Sequence, residues 1–181
     1  MGWDLGQKRR VVKDFLRLQN LDVVMFQETK REVCDRRLVG SVWSVRNKEW
    51  AILPACGASG GILIIWDSKK MSGEKVVIGS FSVSVKFLLD GSGPLWLSAV
   101  YGPNNPSIRK DFWVELLDLF GLTYPSWCVG GDFNVIRRRS EKLGGSRFTR
   151  DFDGFIKECE LHDPPLRNAS FTWSKPSRSS S

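Results

Sequence analysis

The chain has 181 residues, enough for one domain with a hydrophobic core, and 41% of them are apolar, which excludes a chain that is disordered throughout. Lysine and arginine number 27 against 20 for aspartate and glutamate, so the formal net charge is +7. This basic balance favours an anionic partner such as nucleic acid, although a basic surface that only aids solubility is an equal alternative.

The cysteines and the apolar segments indicate a reducing compartment and no membrane partner. Cys34, Cys56, Cys128 and Cys159 lie far apart without metal-ligand spacing, so we expect free thiols. The N-terminal segment is charged and unlike a signal peptide, and no apolar run is long enough to span a bilayer. We therefore expect an intracellular protein.

The hydrophobic pattern predicts an alternation of helices and strands. Helices are predicted at 8–19, 31–38, 107–120 and 152–161, the third capped by Ser107. Strands are predicted at 22–29, 41–46, 50–54, 62–67, 81–89, 95–101, 127–134 and 170–173. Apolar runs predict burial of 62–67, 95–101 and 127–134 on both faces, whereas alternation predicts a half-exposed strand at 81–89.

This order of elements predicts an α/β fold of two mixed sheets with helices outside. One domain is expected over residues 1–174. Residues 175–181 are serine-rich and basic and are expected to form a disordered tail.

Polar residues follow two of the predicted strands at the points where they end. The apolar run 127–129 leads into Gly130-Gly131-Asp132-Phe133-Asn134, where the glycines allow the backbone to pass close to another group. Because residues i and i+2 of a strand share a face, Asp132 and Asn134 are predicted to project together. Glu28 ends another apolar run, and two acids at two strand tips are a candidate Mg²⁺ site.

Four segments in chain order resemble the endonuclease/exonuclease/phosphatase superfamily. They are Gln27-Glu28-Thr29-Lys30, Val100-Tyr101-Gly102-Pro103, Gly131-Asp132-Phe133-Asn134 and Ser170-Phe171-Thr172-Trp173. More narrowly, they are similar to the apurinic-type endonuclease domain of plant LINE-type non-LTR retrotransposons, in which a reverse transcriptase follows. Residues 163–168 and Ser59-Gly60-Gly61 support the narrower resemblance.

The resemblance implies a four-layered α/β sandwich that hydrolyses phosphodiester bonds of DNA with Mg²⁺ or Mn²⁺. Carried over to this chain, it makes Glu28 the metal-binding carboxylate and Asp132 the residue that aligns or activates the attacking water. Asn134 would hold the scissile phosphate, and Tyr101 would stabilise its developing charge. The partner would be the phosphate backbone of DNA, the protein a monomer, and its location nuclear.

Two pieces of the family pattern are missing from this sequence. The family opens with a strand that ends in a metal- or phosphate-binding asparagine, and it closes with a Ser-Asp-His triplet that supplies the catalytic histidine. Neither is present, and His162, the single histidine, precedes the 170–173 strand and cannot be that residue. We therefore expect a domain truncated at both ends whose nuclease activity is weak or lost.

Structural roles remain open beside these functional ones. Glu28 is also interpretable as a solvated acid, Tyr101 as a core aromatic, and Asp132 and Asn134 as turn-capping residues. The basic run 137–139 fits a phosphate-tracking patch or a solvated loop equally well. Three function classes follow: a DNA endonuclease, a phosphatase or phosphodiesterase of the same superfamily, and an inactive retrotransposon remnant that only binds nucleic acid non-specifically.

Overall fold

The computed structural model describes residues 5–56, 60–135 and 149–162, with side chains from residue 9 onwards and from residue 151 in the last segment. Its helices are α1 (Leu5–Leu18), α2 (Arg36–Val42), α3 (Arg109–Thr123) and α4 (Thr149–Glu158), and a 3-10 turn (Pro106–Ile108) precedes α3. Its strands are β1 (Val23–Gln27), β2 (Lys48–Leu53), β3 (Ile62–Asp67), β4 (Ser72–Ile78), β5 (Ser82–Leu89), β6 (Gly93–Tyr101) and β7 (Trp127–Asp132).

The strands form two sheets that pack face to face. The first sheet is antiparallel with the order β1-β3-β2, and the second has the order β4-β5-β6-β7. Only the pairing of β6 with β7 is parallel, so the second sheet is mixed. Helices cover both outer faces, which confirms the predicted α/β architecture of two sheets flanked by helices.

The core between the sheets comes from alternate residues of two central strands. Ile62, Ile64 and Trp66 of β3 face Val83, Val85 and Phe87 of β5, and all six side chains are buried. The rings of Trp66 and Phe87 meet edge to face with centroids 5.4 Å apart. Leu63 and Ile65 lie on the other face of β3 beneath α1 and α2, so β3 is buried on both faces as its apolar run predicts.

The second helical layer covers the outer face of the four-stranded sheet. Phe112 and Leu116 of α3 are fully buried and share a cluster with Phe155 of α4 and Val100 of β6. Trp113 of α3 lies against Phe155 with ring centroids 5.6 Å apart. This helical layer packs against β6 and so supports Tyr101, the residue that follows Val100.

The predicted half-exposure of β5 is wrong for the first half of the strand, where the polar positions are buried, whereas Lys86 is half-buried and Leu88 exposed in the second half. Ser82 and Ser84 are fully buried, and the hydroxyls of Ser84 and Ser98 lie 2.6 Å apart in a hydrogen bond between β5 and β6. The indole of Trp127 donates to the Ser98 oxygen at 2.8 Å. Small hydroxyls that bond to one another are compatible with burial, so alternation of polar residues did not indicate a solvent face here.

Other boundaries differ from the sequence expectation for local reasons. The predicted strand at 41–46 is wrong: Asp35 caps α2 by accepting from the Leu38 amide at 2.7 Å, and the helix runs to Val42. Strand β4 was not predicted because its side chains are almost all exposed and carry no apolar alternation. Asn105 caps the 3-10 turn, and no side chain caps α3, so the predicted cap at Ser107 is wrong.

Strand β7 is less buried than its apolar start predicts. It lies at the edge of the second sheet among the described residues, and its side chains are half-buried or exposed. Strand β6, predicted to be central, is indeed flanked by β5 and β7. The predicted strand at 170–173, the basic run 137–139 and the tail 175–181 lie outside the described residues.

The half-buried carboxylate of Glu115 holds the turn between β4 and β5. Glu115 of α3 accepts hydrogen bonds from the backbone amides of Ser80 at 2.8 Å and Phe81 at 3.1 Å. It also accepts from the Ser82 hydroxyl at 2.5 Å. One side chain therefore ties α3 to the sheet that it covers.

Replacing this carboxylate should destabilise the domain measurably. We expect Glu115→Ala to lower the free energy of unfolding by about 1–3 kcal/mol, because the partly buried Phe81 amide and the buried Ser82 hydroxyl lose their acceptor. The matched control, Asp118→Ala on an exposed position of the same helix, should shift it by about 0.5 kcal/mol or less. Urea unfolding followed by circular dichroism measures both, and equal shifts would contradict the assigned role of Glu115.

Candidate active site

The ends of three strands from the two sheets meet at one end of the sandwich. Strand β1 of the first sheet contacts both β6 and β7 of the second. The last register pair of β6 and β7 joins Tyr101 to Asp132, and Glu28 directly follows β1. The packing of the sheets thus brings residues far apart in sequence to one place.

The phenol of Tyr101 is the common neighbour of the other predicted site residues. Its hydroxyl donates to Glu28 Oε1 at 2.5 Å. The side chain of Asn134 hydrogen-bonds the same hydroxyl, and the charge of Asp132 acts on it. The structure therefore brings Glu28, Tyr101, Asp132 and Asn134 together, while their catalytic roles remain predictions.

The environment of Tyr101 keeps its hydroxyl protonated. Burial is the largest cause, followed by the hydrogen bond to Glu28 and then by the negative charge of Glu28. Together they raise the pKa of Tyr101 to about 12. The hydrogen bond from Asn134 acts in the opposite direction, and Asp132 adds a smaller increase in the pKa. At neutral pH Tyr101 is consequently a hydrogen-bond donor and not a base.

Asp132 and Asn134 are joined by a turn and not by strand geometry. Strand β7 ends at Asp132, whose Oδ1 accepts from the Asn134 amide at 2.8 Å. Asn134 has a left-handed backbone with φ 50°, and its Nδ2 donates to the carbonyl of Gly102 at 2.5 Å. The prediction that both side chains project from one strand face is wrong in its geometry, although the two residues do meet at the site.

Glu28 is held in a backbone conformation that non-glycine residues rarely adopt. Its φ is 51°, in the left-handed region, and Lys30 has the same value. In the same segment, the Thr29 amide donates to the Gly61 carbonyl and the Lys30 amide to the Gly60 carbonyl, each at 3.3 Å. Such strain persists only where neighbouring bonds enforce it, and here it aims the carboxylate away from β1 towards Tyr101.

Two glycines allow the backbone strands of the site to approach closely. The amide of Gly102 donates to the Asp132 carbonyl at 2.7 Å, and a Cβ at Gly102 would collide with the Phe133 carbonyl. Gly131 has φ 144°, and a Cβ there would collide with the Gln27 amide nitrogen and the Val100 carbonyl. The sequence predicted that the pair Gly130-Gly131 passes close to another group. In the structure Gly131 does so, against the Gln27 side chain and the Val100 carbonyl, whereas Gly130 faces Met25.

Gln27 is a site residue that the sequence reasoning missed. Its Nε2 donates to the Val100 carbonyl, and its Oε1 accepts from the Asp132 amide at 3.1 Å. An amide at a strand end, immediately before a candidate metal-binding acid, was the available signal. Its partners are backbone groups of other strands, which no local pattern identifies.

Arg109 supports the loop that follows Tyr101. The residue is buried with 8% of its surface exposed, and its Nη2 donates to the Pro103 carbonyl at 3.1 Å. His162 lies exposed after α4, and its lack of a catalytic role stays a prediction.

The carboxylates have the donor chemistry of a hard-cation site. Glu28 and Asp132 each use one oxygen in a hydrogen bond, which leaves each a second carboxylate oxygen. Among the described residues no three acidic, histidine or cysteine side chains cluster as a ready-made metal cage. Two carboxylates nevertheless fit Mg²⁺, which is commonly held by one or two carboxylates with water and phosphate oxygens completing its shell.

The hydrogen bond between Tyr101 and Glu28 has a titration signature. The chain has two tyrosines, so Tyr124→Phe leaves Tyr101 as the only phenol. The ultraviolet titration of the Tyr101 phenol should then have its midpoint near pH 12, and Glu28→Gln should move that midpoint towards pH 10.0. Because folding raises the pKa of Tyr101, its protonated hydroxyl contributes stability to the folded state. That contribution should be complete below pH 10.0 and lost as the pH rises towards 12. A midpoint that Glu28→Gln leaves unchanged would contradict the contact.

Comparison with known proteins finds similarity in structure and not in sequence. The sequence matches no protein-family model and no curated protein. The fold is similar to that of the AP endonuclease LMAP from Leishmania major, with TM-score 0.66 and 12% identity over 86% of this chain. The endonuclease domain of TRAS1, a telomere-specific non-LTR retrotransposon, gives TM-score 0.59 and 14% identity over 88%. D. rerio TDP2 complexed with a single strand DNA product gives 0.54 and 16% over 87%.

This chain spans only part of those structures, covering 62% of LMAP, 67% of the TRAS1 domain and 59% of TDP2. At such low identity the similarity concerns the fold alone. No helix of the described residues is long and apolar enough to cross a membrane. The chain thus shares the architecture of these three proteins, and it presents a carboxylate, phenol and amide cluster where its two sheets meet.

Proposed function

We propose that this chain is a divalent-metal-dependent phosphodiesterase whose substrate is DNA, derived from a non-LTR retrotransposon endonuclease. The observation that carries the proposal is the convergence of Glu28, Asp132 and Asn134 on the Tyr101 phenol. Tyr101 and Asp132 are the last residues of their strands, and strands hold side chains more firmly than loops do. The fold similarity to DNA-processing nucleases supports the same reading.

Glu28 and Asp132 are proposed to hold the cation, for which Mg²⁺ or Mn²⁺ is the expected identity. When bound, the cation supplies positive charge that stabilises the oxygens of the phosphate. Asp132 is also proposed to align the attacking water and accept its proton. Its fixed contact with the Asn134 amide uses one oxygen and leaves the other for that role.

Tyr101 and Asn134 are proposed to act on the phosphate as neutral donors. The high pKa of Tyr101 keeps its single proton in place, and in this structure the hydroxyl donates that proton to Glu28. When substrate is bound, the hydroxyl is proposed to donate it to a phosphate oxygen instead and so stabilise the negative charge that develops there. Asn134 orients that phenol through their hydrogen bond and lies beside the same position. Before substrate binds, the contact with Glu28 holds the phenol beside the carboxylate that is proposed to bind the cation.

The proposed activity is slow, because the single histidine, His162, does not belong to a Ser-Asp-His triplet of the kind that the resemblance implies. A missing general acid–base typically costs about 10² to 10⁴ in rate. DNA binding does not depend on that group and is supported by the net charge of +7. A nuclear location follows from DNA as the substrate.

Nicking of supercoiled plasmid in Mg²⁺ or Mn²⁺ tests the proposal. The wild-type chain should nick slowly, and Asp132→Ala and Glu28→Gln should abolish nicking, since each removes a cation-binding carboxylate. Tyr101→Phe should lower the rate by about 10²-fold or more through loss of one charge-stabilising donor. The control Asp90→Asn, on an exposed turn outside this site, should leave the rate unchanged and excludes a contaminating nuclease.

Salt dependence separates binding from catalysis. Fluorescence anisotropy with a labelled duplex should show a linear fall of log affinity with log salt concentration, because basic side chains displace counterions. Asp132→Ala should bind DNA at least as tightly as the wild-type chain. Binding without any nicking would overturn the enzymatic proposal in favour of a non-specific nucleic-acid binder, and cleavage of a non-nucleic phosphodiester alone would redirect the substrate assignment.

A further inference from the structure

Gln27 connects the two sheets at the candidate site through both ends of its side-chain amide. It is the last residue of β1 in the first sheet, whereas Val100 and Asp132 belong to β6 and β7 of the second. The Nε2 atom donates to the Val100 carbonyl and the Oε1 atom accepts from the Asp132 amide. Each contact is next to, or part of, a residue of the cluster around Tyr101.

The ends of β6 and β7 leave space for the side-chain amide of Gln27. Val100 pairs with Gly131 and Tyr101 pairs with Asp132 at the ends of β6 and β7, and the Gln27 amide lies across these two pairs. A Cβ at Gly131 would collide with Gln27 Nε2, so the glycine provides the space that the amide fills. Only a side chain that both donates and accepts satisfies both backbone groups, and methionine or a shorter amide does not.

The apolar core between the sheets leaves the polar groups at the strand ends to be oriented by other contacts. Close packing sets how the two sheets lie against each other, but hydrophobic attraction is non-directional and does not orient individual polar groups. Hydrogen bonds have narrow limits of distance and angle. Within the part of the chain that the structure describes, the Gln27 amide and the Tyr101 contact with Glu28 are the directional links at the site between the β1 end and strands β6 and β7.

We propose that Gln27 is a positioning residue that sets the separation between Glu28 on the first sheet and Asp132 on the second. The proposal rests on the function proposed above, in which these carboxylates share a cation. Gln27 itself acts through the backbone of its partners and does not need to touch the substrate. Its effect is to keep two acids from different sheets within reach of one cation.

The test compares Gln27→Met, which has similar length and no amide, with Gln27→Asn, which keeps the amide on a shorter side chain. The exposed Gln19 gives the matched control Gln19→Met. Binding of Mn²⁺ alone is measured by the loss of its free paramagnetic signal. Both Gln27 variants should bind Mn²⁺ about 10- to 100-fold more weakly, as substitutions behind metal ligands typically do. The NMR signal of the Asp132 amide should shift, and urea unfolding should confirm that both variants fold.

Nicking kinetics provide a separate readout. Gln27→Met should lower kcat by about 10²-fold, the effect of a displacement near 1 Å at a catalytic group, with little change in the KM for DNA. If the wild-type chain does not nick, the enzymatic proposal fails, whereas Mn²⁺ affinity and the Asp132 signal still decide the role of Gln27. Unchanged Mn²⁺ affinity and an unshifted Asp132 signal would overturn the positioning role. Loss of the fold in both variants would overturn it too, because Gln27 would then maintain the domain and not the site.

Discussion

The contact between the two sheets is the constraint on which the rest of this protein depends. Ile62, Ile64 and Trp66 interdigitate with side chains of β5, and β3 and β5 are thereby placed at the centre of the sandwich. Every other element is added to these two strands from outside. The position of β1 beside β6 and β7 is a consequence, since β1 pairs with β3 while β6 pairs with β5.

The polar bonds at one end of the sandwich complete what the apolar core leaves undefined. Tyr101 reaches across to Glu28, and Gln27 reaches across to the backbones of β6 and β7. The bond of Tyr101 to Glu28 and that of Gln27 to the Val100 carbonyl are partly buried, where a lost partner costs more than it does in water, whereas the bond to the Asp132 amide is exposed. A site made of facing sheet ends therefore gains its geometry from a few bonds and its cohesion from many apolar contacts.

Local strain and sheet edges accompany this arrangement. Glu28 and Asn134 both have left-handed backbones, and β1 and β7 lie at the edges of their sheets among the described residues. Strained loops at strand ends are frequent at functional sites, because the surrounding structure can enforce conformations that sequence preference disfavours. Position at an edge also leaves Asp132 exposed and reachable by a large substrate.

Much of the architecture was determined by the sequence itself. The apolar run at 62–67 is so continuous that it fits only a strand buried on both faces, and the alternation of helices and strands led to the observed layers. The motifs around Glu28, Tyr101, Asp132 and Asn134 identified residues that the structure brings together. Elements with weak periodicity were missed or misassigned, as β4 with its exposed side chains and the 41–46 segment illustrate.

Only the tertiary structure decided how these residues meet. The burial of Ser82 and Ser84 depends on hydrogen bonds and packing across strands, which local alternation does not encode. Asp132 and Asn134 approach through a turn, and the bridging role of Gln27 arises because a glycine on β7 leaves space for its amide. Sequence patterns report the preference of each residue for a local conformation or for burial. The partners of a polar side chain depend on which strand ends the packing of two sheets brings into contact, and that is a property of the folded chain.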